Sequence, residues 1–381
     1  MRDKLALLPA TSLVLLLGLP SLVFAHGETA RGGGSANALN AVGGLIGTGW
    51  SLGARLELRQ FEEFSDEQLR SFALDGEDVH QHSQEMSAFL TTSVVLLPDL
   101  DLSLVLPFNG FRGFREAELD PATNTPHLIT DAFSGGVGDL VAVGRYRVVR
   151  EGDHHLALLA GIKIPTGVNR ETDDEGDRLG THNQPGTGSV DFQLGAAYTL
   201  AVGDFGLTAD VIVHVRTEGV LGYQAGNLLQ ADLAASYQLG PVALVAELNH
   251  FVSERDVEYG EVLDNSGIHT LYVSPGVVVT IAEQHALYAT ASIPVVQALP
   301  GLQNQEVLRG GLGYSVTFGQ TPAASPEPDH SHAHRHRPSQ EAPPAHGHRA
   351  RPHHHHGVDS EPDMVDEGRV APRATPRRAH P

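Results

Sequence analysis

The stretch Leu229-Gln230-Ala231-Asp232-Leu233-Ala234-Ala235-Ser236-Tyr237-Gln238-Leu239 reads as one strand with two unlike faces. Leu229, Ala231, Leu233, Ala235, Tyr237 and Leu239 fall on one side, and Gln230, Asp232, Ser236 and Gln238 fall on the other. That is the period-2 alternation of a strand whose two sides meet different surroundings. Its length suffices to cross a bilayer at a tilt.

The same alternation recurs outward in both directions. Trp50, Leu52, Ala54, Leu56 and Leu58 alternate with Ser51, Gly53, Arg55, Glu57 and Arg59. Leu102, Leu104, Leu106 and Phe108 alternate with Asp101, Ser103, Val105 and Asn109. Near the end of the patterned region, Leu308, Leu312, Tyr314, Val316 and Phe318 oppose Arg309, Ser315 and Thr317. Such runs predict twelve strands, near 46–61, 85–97, 100–110, 137–150, 155–164, 188–203, 205–216, 227–240, 241–254, 268–281, 285–296 and 306–318.

The connections alternate strictly between short and long. Tight turns are expected at Pro98-Asp99, Glu151-Gly152-Asp153, Gly203-Asp204, Gly240-Pro241 and Ala282-Glu283-Gln284. Polar, acidic loops are expected over 62–84, 111–136, 165–187, 217–226, 255–267 and 297–305. Tight turns at one rim, long loops at the other and an even strand number are the pattern of outer-membrane barrels. A soluble sandwich has no reason to alternate its loop lengths and needs two apolar layers facing each other. The fold expected is all-β: a transmembrane antiparallel up-and-down β-barrel of about 12 strands.

Before the first strand, Arg2 and Lys4 precede an apolar stretch from Leu5 to Phe24, and Val23-Phe24-Ala25 offers a signal-peptidase site. Residues 1–25 are therefore read as a secretory signal peptide, 26–45 as a flexible segment and 46–319 as the barrel. Residues 320–381 are read as a disordered tail. Cleavage after Ala25 would expose His26, whose amine and imidazole form a Cu(II)-chelating pair. Gly311, Tyr314, Val316 and Phe318 match the spacing Gly-x-x-aromatic-x-apolar-x-aromatic, which resembles the signal read by the barrel-assembly machinery.

Composition fits an exported barrel. The 381 residues contain no cysteine, and 46 acidic side chains against 25 basic ones give a formal charge of −21. The absence of cysteine excludes disulfides, thiolate metal sites and cysteine nucleophiles. The negative charge argues against nucleic acid as a partner. No Gly-x-Ser-x-Gly elbow and no His-Glu-x-x-His motif occurs, and the His-x-Ser-Asn-Gly element of outer-membrane phospholipases is missing. An enzyme is not expected.

If the apolar face meets lipid, the polar face lines a lumen. Its charged members are Arg55, Glu57, Arg59, Asp101, Arg145, Arg147, Lys163, Asp191, Asp210, His214, Arg216, Asp232, Glu247 and Arg309. They either pair as internal struts or line an aqueous path, since unpaired charge in a dry interior is costly. Eight strands are filled by side chains and sixteen leave a channel, so twelve imply a narrow or plugged pore. The acidic long loops suit a solvated face, bridged by divalent ions to lipopolysaccharide. His80 and His82 could add nitrogen ligands there.

Three segments carry a family resemblance: Gly135-Gly136-Val137-Gly138-Asp139-Leu140, Gly161-Ile162-Lys163-Ile164-Pro165-Thr166-Gly167 and Gln184-Pro185-Gly186-Thr187-Gly188. They resemble the outer-membrane proteins of the meta-pathway phenol-degradation type, described as transporters. The resemblance spans roughly 135–318 and implies a membrane barrel passing hydrophobic aromatic compounds. It assigns no functional residues.

Half of the 22 histidines fall in the last 62 residues, including His330, His332, His334, His336, His346, His348, His353, His354, His355 and His356. Eleven prolines share that stretch, which has too few apolar groups for a core. Neutral imidazoles bind Zn²⁺, Ni²⁺, Cu²⁺ or Co²⁺, and a flexible multi-histidine chain can wrap an ion without a preformed site. No cofactor is required. The sequence thus predicts a Gram-negative outer-membrane channel for small molecules with a metal-binding periplasmic tail. Its partners would be lipid, lipopolysaccharide, the barrel-assembly machinery and a small-molecule or metal-ion cargo. Metal uptake, buffering or sensing is the alternative, as is a closed structural barrel.

Overall fold

The computed structural model describes residues 42–43 and 49–318, apart from 78, 173–175, 177 and 282–283. Twelve of the long strands within them form the barrel wall: β1 (Trp50–Phe61), β2 (Gln84–Leu97), β3 (Leu100–Leu119), β4 (Leu140–Glu151), β5 (His154–Ile164), β6 (Asp191–Val202), β7 (Phe205–Val215), β8 (Leu228–Leu239), β9 (Val242–Ser253), β10 (His269–Ile281), β11 (His285–Gln297) and β12 (Glu306–Phe318). Each pairs antiparallel with its neighbours in the chain. β12 returns to β1 in register from Trp50↔Phe318 to Gln60↔Leu308, so the sheet closes on itself. Closure leaves no strand edge in lipid, where an unpaired backbone group would cost several kcal/mol.

All twelve expected strands are present, with ends displaced by a few residues. At the short-turn rim, Gly152, Gly203 and Gly240 adopt φ of 54°, 57° and 61°. Two-residue hairpins need that left-handed backbone because it matches the twist of the flanking strands, and glycine adopts it without a Cβ clash.

The wall is sided as the alternation predicts. Leu52, Leu90, Leu158, Leu194, Leu233 and Leu312 point outward and remain exposed, and Arg55, Ser87, Asp101, Asp210, Asp232 and Glu247 are buried. Trp50 stacks on Phe318 with 4.3 Å between ring centroids at the short-turn rim. There His154 and His285 each bond a tyrosine hydroxyl, Tyr198 and Tyr314, at 2.6 Å. Such half-polar rings suit a membrane–water boundary.

One expected loop is corrected. Residues 111–136 were expected to be irregular, but β3 runs on to Leu119 and turns back as a strand over Pro126–Val137. This hairpin stands beyond the barrel, with Phe111, Phe114 and Ala117 buried on one face, and no bilayer imposes a strict alternation on its sequence. A helix, α1 (Asp66–Leu74), packs beside it with Leu69 and Ala73 against Val79 and Ala117. Ser65 and Gln68 close its first turn as a capping box, satisfying two otherwise orphaned N–H groups.

Leu233 sits near mid-strand on the outward face. Leu233→Arg is expected to destabilise the barrel by about 2–4 kcal/mol, the cost of a charge facing lipid near the bilayer midplane. Urea titration of vesicle-embedded protein measures this, and an unchanged midpoint would mean that this face does not meet lipid.

Candidate functional site: the lumen and its long-loop mouth

Twelve of the charged residues expected in the lumen are buried on the shielded face: Arg55, Glu57, Asp101, Arg145, Arg147, Lys163, Asp191, Asp210, His214, Asp232, Glu247 and Arg309. Arg59 is partly buried beside them. Arg216 lies one residue beyond β7 and donates to the Gly226 carbonyl at 3.1 Å. His26 and the tail histidines lie outside the described residues.

Most of these charges are struts. Arg55 pairs with Glu57 at 2.5 Å, and Arg145 pairs with Asp101 across β3 and β4. Arg147 meets Asp99 at 2.6 Å at the short-turn rim. Toward the long loops, Arg59 joins Glu85 and Glu306, each at 2.7 Å. Tyr272 also donates to Glu306, at 2.7 Å, and Arg309 lies 4.4 Å from the centre of the Tyr272 ring. Removing one partner of such a buried pair typically costs about 3–5 kcal/mol, because the other charge is left stranded. The pairs therefore hold the strands in one arrangement.

Asp210 and Asp232 differ. They are register partners on β7 and β8, and the donors on them are neutral. Gln230 and Asn249 donate to Asp232 at 2.5 and 2.9 Å. The donor to Asp210 is the backbone N–H of Val42, at 2.7 Å. Val42 precedes β1, so the chain enters the lumen before it forms the wall. Arg145 adds a hydrogen bond to the Gly43 carbonyl at 2.9 Å. The Val42 side chain is fully buried among Phe89, Val105, Val141, Val143, Leu159, Ala197 and Ile212. The sequence reading placed both residues in a flexible stretch, and here they occupy the interior.

The three motif segments converge on one cation. Lys163 Nζ lies 2.7 Å from Asp191 and 3.3 Å from Asp139, and contacts Ser189 at 2.9 Å and Thr187. Asp139 in turn accepts from the backbone N–H of Gly167 and of Thr187, both at 2.9 Å. Gly186 approaches Gly167 so closely that a Cβ on it would sit 2.7 Å from the Gly167 Cα. Glycine is required there by contact. The knot folds the segment after β5 back over the mouth, where the Asn109 amide holds the Pro185 carbonyl at 2.9 Å.

A second latch uses His82, which is buried against the rings of Phe111 and Phe114. Its Nε2 bonds Asn183 Oδ1 at 2.8 Å, and its backbone carbonyl accepts from Asn304 at 2.8 Å. Three long connections therefore meet at His82, one through its ring and one through its backbone carbonyl. Burial, aided by nearby His80, lowers the His82 pKa from 6.5 to about 3, against the opposing Asn183 bond. His82 is thus a neutral wedge whose Nε2 is engaged by Asn183. Among the described residues no group of three or more histidine and carboxylate side chains is placed to hold a metal ion.

The sign of the pH effect follows. Opening the latch raises the pKa toward 6.5, so the open form takes up a proton in acid. The closed mouth is fully stable above about pH 6.5 and loses up to about 1.4 kcal/mol per unit as pH falls toward 3. Hydrogen exchange in 79–84 is expected to accelerate between pH 7 and 5, after correction for intrinsic rates. In His82→Gln this added acceleration should vanish, and its persistence would assign the effect to other groups.

Comparison with known proteins places this architecture. The family model described as "Putative MetA-pathway of phenol degradation" matches residues 44–295, about two-thirds of the chain, and the chain belongs to that family. Among solved structures, the COG4313 outer membrane channel from Pseudomonas putida F1 is 18% identical with a TM-score of 0.50, covering 72% of this chain and 97% of that one. The TodX deltaS2S3 mutant monoaromatic hydrocarbon channel is 9% identical with a TM-score of 0.42, covering 72% of this chain and 92% of that one. The KdgM porin is 8% identical with a TM-score of 0.38, covering 71% of this chain and 99% of that one. The first likeness shows the fold of an outer-membrane barrel. No curated protein matches the chain.

Proposed function

We propose that this family member is a narrow outer-membrane channel for small aromatic molecules, with a periplasmic tail that gathers transition-metal ions. The observation carrying the first part is the two-sided lumen. Phe89, Val105, Val141, Leu159 and Ile212 give one wall an apolar surface. Asp232, Glu247, Asn249, Ser274 and Ser292 give the other wall a polar band, beside the apolar cluster of Val245, Val278 and Tyr288. A ring bearing a polar substituent is solvated by both walls at once, whereas a sugar or an inorganic ion uses only one. The family's phenol-degradation description supports the same cargo class.

The tail reading rests on the sequence, eleven histidines in residues 320–381. A flexible coil of that length spans about 45 Å r.m.s.. Protonation of the imidazoles weakens such sites as pH falls through about 6.5.

One recording tests both parts. In a planar bilayer, catechol added on the long-loop side is expected to interrupt single-channel current in proportion to its concentration, and sorbitol is not. Deleting 320–381 should leave catechol block intact and remove any response to Zn²⁺. Current indifferent to catechol would contradict the aromatic cargo, and a Zn²⁺ response surviving the deletion would contradict the tail's role.

A further inference from the structure

Beside Val42, under-bonded polar groups gather on three adjacent strands. Gln193 on β6 and His214 on β7 are register partners, and both are buried. Among the described residues, the Gln193 amide oxygen and nitrogen make no hydrogen bond. The His214 ring meets the side chain of Gln230 on β8, whose amide nitrogen lies on Asp232. Two residues before His214, Ile212 points the same way, and two before that Asp210 faces Asp232 and the Val42 N–H. Buried polar atoms are satisfied in the great majority of cases, so the unpaired Gln193 amide beside this sparsely bonded ring marks a place for something polar to bind.

The surroundings define its shape. Gly161 and Gly195 are the register partners of Gln193 and Ile212, and they leave the wall low there. A Cβ on Gly161 would stand 3.1 Å from the Gln193 amide oxygen, and one on Gly195 3.0 Å from Ile212 Cγ1. Leu159, Ala197 and Ile212 supply an apolar floor next to the free polar atoms, and Val42 covers it. The Val42 N–H on Asp210 occupies the position a donor hydroxyl would take.

We propose that Gln193, Asp210, His214 and Gln230, with Leu159 and Ile212, form a binding site for a hydroxylated aromatic molecule, and that Val42 fills this site when the molecule is absent. The inference rests on the aromatic-channel reading and adds selectivity for the hydroxyl group. The ring displaces the Val42 side chain from the apolar floor. The hydroxyl donates to Asp210 or to an amide oxygen, and accepts from the Gln193 amide or the His214 ring. A site built around such bonds rejects the analogue that lacks the hydroxyl, because its own buried polar groups then stay unpaired. Since Val42 competes with the ligand, apparent affinity is reduced by the fraction of time the segment stays in place.

The test is ¹⁹F NMR binding to the full chain in lipid nanodiscs, with protein-free nanodiscs subtracted. The probes are 4-fluorophenol and 4-fluorotoluene. Wild type is expected to bind 4-fluorophenol at least tenfold more tightly than 4-fluorotoluene. Val42→Gly should bind both more tightly. Gln193→Leu and His214→Leu should each weaken 4-fluorophenol about tenfold and leave 4-fluorotoluene unchanged. Heat-modifiable gel mobility shows which variants fold, and Gln193→Leu suffices if His214→Leu does not.

Equal affinity of wild type for the two probes overturns the proposal. So does 4-fluorophenol binding unmoved in the folded variants, which would leave ordered water on these atoms. Absence of binding in both wild type and Val42→Gly also overturns it. If any of these occurs while catechol still blocks the current, the site falls and the channel reading stands. Failure of both measurements removes the two together.

Discussion

The pairing of β12 with β1 is the constraint from which the rest follows. Eleven consecutive register pairs from Trp50↔Phe318 to Gln60↔Leu308 turn an open sheet with two bare edges into a wall with none. In lipid no water is available for unpaired backbone groups, so the wall exists only when this seam is made. Closure then forces a division of side chains. Every second residue faces hydrocarbon, and every other one faces an interior the barrel must satisfy from its own residues, ordered water or cargo.

That division explains the paired interior. Six arginines and lysines would be prohibitive in a dry lumen if isolated, so each meets a carboxylate from its own strand, a neighbouring strand or an adjoining turn. Where pairing stops, the lumen changes character. Asp210 rests on the backbone N–H of Val42, and Gln193 beside it holds an amide with no partner among the described residues. Other inward groups, such as the Thr91 hydroxyl on β2, also lack a partner there, so the struts do not saturate the interior.

Much of the fold was legible in the sequence because the bilayer imposes a two-residue rule on every crossing. Leu229 to Leu239 obeys it almost without exception, and the tight turns at Gly152, Gly203 and Gly240 carry their own signals. The rule lapses beyond the bilayer, so the hairpin continuing β3 read as a loop although one of its faces buries Phe111, Phe114 and Ala117. Charged lumen residues were found since charge on an inward position stands out. Gln193, Gln230 and Asn249 were missed because a neutral amide at such a position looks like any solvated residue. Val42 had no signal: one valine in a glycine- and alanine-rich stretch has no periodicity, and its place depends on contacts with β7 far along the chain. Lys163, Asp139 and Gly186 were noticed as motif members, but their convergence on one cation exists only in three dimensions.

The central claim is that Val42, buried inside the barrel with its N–H on Asp210, narrows the lumen. Single-channel conductance in a planar bilayer, full chain against a chain lacking residues 26–43, tests it most directly. The account predicts small, interrupted currents for the full chain and a steady conductance several times larger after the deletion. Equal conductance in two folded proteins would place the constriction elsewhere and contradict the claim.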